Sequence, residues 1–195
     1  MAKQKMTETE LREKFADLRR SVSDYDDLNF SAMLDLEASA RRLNGLVKRL
    51  SHNLAKSQGK EEDFVLRKRV SSSFMQHQID ELNKMYNTLI KLKSQLERLD
   101  TAFSNLRRDL LKGLSADGFC GCEKYLNCFK QGINKARFFL GKLEILVGDS
   151  HRYGKQVPIS TFWFKSIEDY IIGAMLEKDF LYVTPYIPPE LYPTL

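Results

Sequence analysis

The sequence predicts an all-α protein. The expected form is an elongated antiparallel helical bundle with coiled-coil-like packing around one long central helix, plus an extended C-terminal strap of prolines and aromatics. Three observations predict it. From Ser73 to Leu114, the apolar residues Met75, Ile79, Leu82, Tyr86, Leu89, Leu92, Leu96, Leu99, Phe103, Leu106 and Leu110 recur at steps of three and four. That spacing draws one buried stripe along a single helix. Flanking stretches repeat the same rhythm, so several amphipathic helices seek one another's apolar faces. Finally, Phe180 to Leu195 holds four prolines and four aromatic residues against one charge. Prolines at that density forbid a helix, and a tail so apolar needs cover.

The long central segment carries one irregular step, Leu89 to Leu92 directly after Tyr86 to Leu89, which predicts a local overwinding near Lys91–Lys93. At roughly 1.5 Å per residue the helix would be on the order of 60 Å long.

Ahead of it, Thr7 and Glu10 form a capping-box pattern. The helix that they open carries Leu11, Phe15, Leu18 and Val22, and the polar run Ser23 to Asp27 reads as its end. A second helix from about Asn29 to Lys56 follows, with Met33, Leu36, Ala40, Leu43, Val47, Leu50 and Leu54 inward and Gly45 on its outer side. Ser57–Lys60 is a break, and Glu61 to Ser72 reads equally as loop or as a backward extension of the long helix. Gly113 and Gly118 are both plausible stops for that helix. A fourth helix should run from about Glu123 to Val147 with Leu126, Phe129, Ile133, Ala136, Leu140, Leu143 and Val147 inward, ended by Gly148. A shorter fifth is expected from Ser160 to about Lys178, burying Phe164, Ile167, Ile171 and Met175.

These elements group as a helical bundle over 1–150, organised on the long helix, and a short helix with an extended segment over 151–195 that packs on it. Short connections favour antiparallel neighbours within one chain. A homo-oligomer or hetero-oligomer formed through the long helix is the competing arrangement.

Composition narrows the class. The 195 residues are 43% hydrophobic and 29% charged, ordinary values for a folded bundle. No run approaches about eighteen consecutive apolar residues, so no transmembrane helix is expected. The charged start, Met1 to Glu10, lacks the apolar core of a secretory signal. Three cysteines, an odd number, suit a reducing compartment. The expected location is therefore the cytoplasm, with the nucleus open.

Catalysis is not expected. His52, His77 and His151 fall on three separate segments, and no metalloprotease helix, phosphate-binding glycine loop or nucleophile elbow is present. Glu168 and Asp169 are adjacent and point to different helix faces, so they do not form a carboxylate pair. No cofactor is implied. Cys120, Cys122 and Cys128 are weak metal candidates, because Cys-x-Cys is not the usual structural-zinc spacing. They read better as free thiols at a helix start, where the dipole would lower the pKa of Cys122.

Binding is expected instead. Arg41 and Arg42 recur one heptad later as Lys48 and Arg49, and Lys56, Arg67, Lys68 and Arg69 extend the row. Such a stripe can track an acidic protein face or an anionic membrane surface, or it can be a solvated helix face. Nucleic acid is disfavoured, because no aromatics are interleaved for base stacking. Phe162 and Trp163, beside Phe164, cannot all face one core, so they mark a protein interface together with Tyr186 and Tyr192. The alternative is that the C-terminal strap covers them. The overall expectation is a non-enzymatic interaction or scaffold protein, one subunit of an intracellular assembly with protein partners. A peripheral membrane-surface binder is the first alternative, and a cysteine-based metal or redox-responsive protein the second.

Overall fold

The structure, a computed structural model, describes residues 6–58, 72–114, 116–156 and 161–176. No strand occurs among them. Four helices follow in order: α1 (Glu8–Gln58), α2 (Ser72–Gly113), α3 (Ala116–Gln156) and α4 (Thr161–Leu176). They pack as two compact units. Of the described residues, the first unit holds 6–29, 92–114 and 116–138; the second holds 30–58, 72–91, 139–156 and 161–176. The expected strap lies outside the described residues.

The capping box forms as predicted. The Thr7 amide donates to Glu10 Oε2 at 2.8 Å, and the Glu10 amide donates to Thr7 Oγ1 at 3.3 Å. These bonds satisfy two amides that the first turn of a helix otherwise leaves open.

The predicted break at Ser23–Asp27 does not occur. The buried face continues through Val22, Tyr25 and Asn29, while Ser23, Asp24 and Asp27 point outward. Aspartate and serine are mediocre helix formers, but the cost is a few tenths of a kcal/mol each. Burying Tyr25 alone is worth about 2 kcal/mol. Packing therefore carries the helix through the polar run, and the two helices expected before residue 57 are one.

α2 matches its predicted limits to within a residue, but its buried face differs. The wholly buried line is Gln78, Leu82, Met85, Leu89, Leu92, Leu96, Leu99, then Phe103, Leu106 and Leu110. Its steps alternate four and three without exception, so the expected overwinding is absent. Ile79 is half-buried and Tyr86 is 38% exposed. The irregular step came from following apolar residues alone: Gln78, though polar, takes the inward position, and Met85 displaces Tyr86.

α3 begins earlier and ends later than expected. Its stripe of Leu126, Phe129, Ile133, Ala136, Leu140, Leu143 and Val147 continues to the wholly buried Ser150. Gly148 does not terminate the helix, and open space surrounds the position of its missing Cβ. In α4, Phe164, Ile167 and Ile171 are buried as expected, but Ala174 rather than Met175 completes the line.

Within the first unit, α1 and α2 are antiparallel. The Met6 amide donates to the Gly113 carbonyl at 2.9 Å, and Lys14 Nζ meets Asp109 Oδ2 at 2.6 Å. A Cβ on Gly113 would lie 2.7 Å from Met6 Cβ, so this close approach requires glycine. Against α3, Phe103 packs on Phe129 with centroids 4.9 Å apart, and Asp100 accepts from Lys130 and Arg137 at 2.6 and 2.7 Å. Burial works to raise the Asp100 pKa, but the two cations outweigh it and hold the carboxyl below its ordinary value.

Candidate functional site

In the second unit, acids from α2 and α4 meet the start of the predicted basic stripe. Arg42 Nη2 lies 3.1 Å from Glu81 Oε2, and Lys84 lies 2.7 Å from the other oxygen. Glu81 is nearly buried; burial pushes its pKa up, but Lys84 and Arg42 together bring it below the ordinary value. Arg41 pairs with Glu37 and, at 3.4 Å, with Glu168 of α4. Arg41 and Arg42 therefore serve the packing of this unit.

The rest of the stripe behaves otherwise. Lys48, Arg49 and Lys56 are exposed, and none forms an ion pair among the described residues. No acidic residue occurs in the sequence from Ala38 to Gln58. Among the described residues this end of α1 is a cationic face without ion pairs. Arg67, Lys68 and Arg69 lie outside the described residues.

The aromatic group divides by helix geometry. Phe164 is wholly buried, Trp163 is half-buried, and Phe162 is 71% exposed. The neighbouring Tyr170 stacks on Phe139 of α3, with rings 6° from parallel and centroids 5.0 Å apart. Tyr186 and Tyr192 lie outside the described residues. Glu168 receives Arg41 and the Asn44 amide, but it also shares Lys165 with Asp169, at 3.7 and 2.7 Å, so one lysine draws on both adjacent acids.

Cys122 and Cys128 are not gathered. Because α3 starts at Ala116, Cys122 lies in the second turn, half-buried, and burial pushes its thiol up. That reverses the shift expected from a helix start. Cys128 is exposed and six residues further on, about 120° around the helix. The Cys120 side chain lies outside the described set. Among the described residues, no group of three or more His, Cys, Asp or Glu stands close enough to share a metal ion. No described helix is long and apolar enough to cross a membrane.

Two features escaped the sequence reading. One is a set of large apolar residues on outward helix faces of the second unit. Phe30 and Leu34 on α1, and Tyr86 and Ile90 on α2, each stand one turn apart, and Ile145 of α3 is also exposed. Following apolar spacing placed Tyr86 inward and passed over Phe30, Leu34 and Ile90, each of which directly follows a buried residue. The other is a cationic run on α2, Arg107, Arg108 and Lys112, which borders a groove with Lys130 of α3. Its signal was an arginine doublet with a lysine one turn on.

No family model matches the chain, and no curated protein or solved structure matches it either.

Proposed function

We propose that this chain is a non-enzymatic interaction protein, a helical scaffold that presents outward apolar faces to protein partners in a larger intracellular assembly. The carrying observation is the pairing of exposed apolar residues one turn apart, Phe30 with Leu34 and Tyr86 with Ile90. A helix with a single buried face ordinarily carries polar residues on the other. Apolar residues at i and i+4 form a second anchor row, the pattern by which helices seat against partners. The cytoplasm, where thiols stay reduced, suits Cys122 and Cys128.

Photo-crosslinking in cells tests this reading. A photoreactive residue at position 30, 86 or 90 should give discrete crosslinked species that the same residue at the exposed, polar Arg98 does not. Equal yields at all four positions would refute it. Light scattering over a range of concentrations then separates partners: a mass near 22.7 kDa assigns the crosslinks to other proteins, a defined multiple to copies of this chain.

A second reading rests on Lys48, Arg49 and Lys56, whose unpaired charges suit an anionic membrane surface. Flotation with phosphatidylserine vesicles should then occur at low salt and fade as salt rises. Flotation unaffected by Lys48→Ser and Arg49→Ser together would exclude this face.

A further inference from the structure

The first unit contains a groove of about 420 Å³ between α2 and α3. Its wall on α2 is formed by Arg107, Arg108, Leu111 and Lys112, with Asn127 and Lys130 facing from α3. Four cations line it and no acid does. The volume is that of a small-molecule site.

The charges are unequally satisfied. Lys130 is neutralised by Asp100 at 2.6 Å. Arg108 has only a loose contact of 3.8 Å with its neighbour Asp109. That carboxylate is engaged by Lys14 at 2.6 Å, whose hydrogen bond is the first cause of its lowered pKa. Arg107 has no ion-pair partner among the described residues, and Lys112 contributes only at longer range to the field on Asp109. Arg107 and Arg108 thus face the groove with little compensation, and Lys112 stands between it and a second hollow lined by Glu10, Glu13, Asp17 and Asp109. Helical spacing puts Lys112 directly one turn beyond Arg108, so the donors form a row rather than a point. Two of them are guanidinium groups, whose planar forks match phosphate oxygens better than a lysine does.

The groove also has an apolar side. Phe103 is buried in its floor against Phe129, and Leu111 stands at its edge, 49% exposed. Ser104 and Asn127 add neutral hydrogen-bonding groups. A single phosphate would use a fraction of these groups. An anion that engages the whole row carries at least two phosphates on a compact ring that can lie against Leu111.

We infer that the α2–α3 groove of the first unit binds a compact polyphosphate of the inositol-phosphate type, either free or as a lipid headgroup. The site is independent of the outward apolar pairs, which lie in the second unit. The test uses the full chain with two probes, inositol hexakisphosphate in calorimetry and vesicles containing phosphatidylinositol bisphosphate in flotation. Saturable binding of the soluble probe alone assigns a free ligand; binding of both assigns a headgroup. In either case the double variant Arg107→Ser, Lys112→Ser should weaken binding by about tenfold or more. The control Lys91→Ser, Arg98→Ser removes the same net charge elsewhere and should leave it within about twofold. All four side chains are exposed, and an unchanged circular-dichroism melt would show that both variants fold. Absence of saturable binding with both probes would overturn the assignment. Equal weakening in the two double variants would do so too, since binding would then follow net charge.

Discussion

In the first unit the buried line of α2 is apolar at every position from Leu92 to Leu110. In the second unit the same line passes through Gln78, and Asn44, Ser51, Glu81 and Ser150 are buried around it. Both oxygen and nitrogen of the Gln78 amide, Asn44 Oδ1, and the hydroxyls of Ser51 and Ser150 find no hydrogen-bond partner among the described residues. Each such group costs about 1–3 kcal/mol. The first unit gains from nearly every inward residue, whereas the second gives part of that gain back. The same heptad rhythm therefore supports one part built for stability and another that is held less firmly, and the outward apolar pairs lie on the latter.

That contrast can be broken most forcefully in the first unit. Phe129→Ala removes a ring packed on Phe103 and should cost about 3–5 kcal/mol, read from urea unfolding. A loss under about 1 kcal/mol would mean that this core is not closely packed.

Gln78→Leu tests the second unit in the opposite direction. The substitution fills the same inward position without orphaned polar atoms and should raise stability by about 1–2 kcal/mol. A clear loss would show that the amide is satisfied in solution, and the contrast would weaken.

The first unit has its own exception at Asp26. Burial, then the charge of Asp27, pushes its carboxyl up to about 6. A folded-state value above the unfolded one means that stability is greatest at acid pH and is lost as pH rises from about 4 through about 6. Asp26→Asn should therefore add on the order of 1 kcal/mol at about pH 8, after allowance for partial exposure, and nothing near pH 4. A gain that is independent of pH would point to a cause other than ionisation.

The smallest effect concerns α3. Gly148 sits within the helix of the second unit with open space where a side chain would be. Gly148→Ala should add about 0.5–1 kcal/mol, visible as a higher melting temperature. A fall would show that this stretch of α3 is not helical in solution.

Much of the fold was legible because helices announce themselves locally. The Thr7–Glu10 cap, the limits of α2 and α4, the apolar line of α3 and that of α1 from Met33 to Val47 follow from spacing and end signals within a few residues, whereas past Val47 the buried residue is Ser51 and the expected Leu50 is half-buried. The candidate sites were legible as residue types and only partly as surfaces. Arg41 and Lys48 look alike in the sequence, one heptad apart, yet Arg41 is paired with Glu37 and Glu168 while Lys48 is bare. No spacing rule announces that Glu168, more than a hundred residues away, will arrive beside Arg41.

By itself, the sequence determined that this protein is helical, where most of its helices lie, and which broad face of each turns inward. Periodicity and capping are properties of a single segment, so one segment suffices to read them. Tertiary structure alone decided the continuity of α1 through Ser23–Asp27, the choice of Gln78 and Met85 over Ile79 and Tyr86, and the pairing of each cation. The physical reason is the same in each case. A helix can rotate by a fraction of a turn, or run on past a polar stretch, at a cost below that of burying one large side chain, so the neighbouring helices settle the outcome.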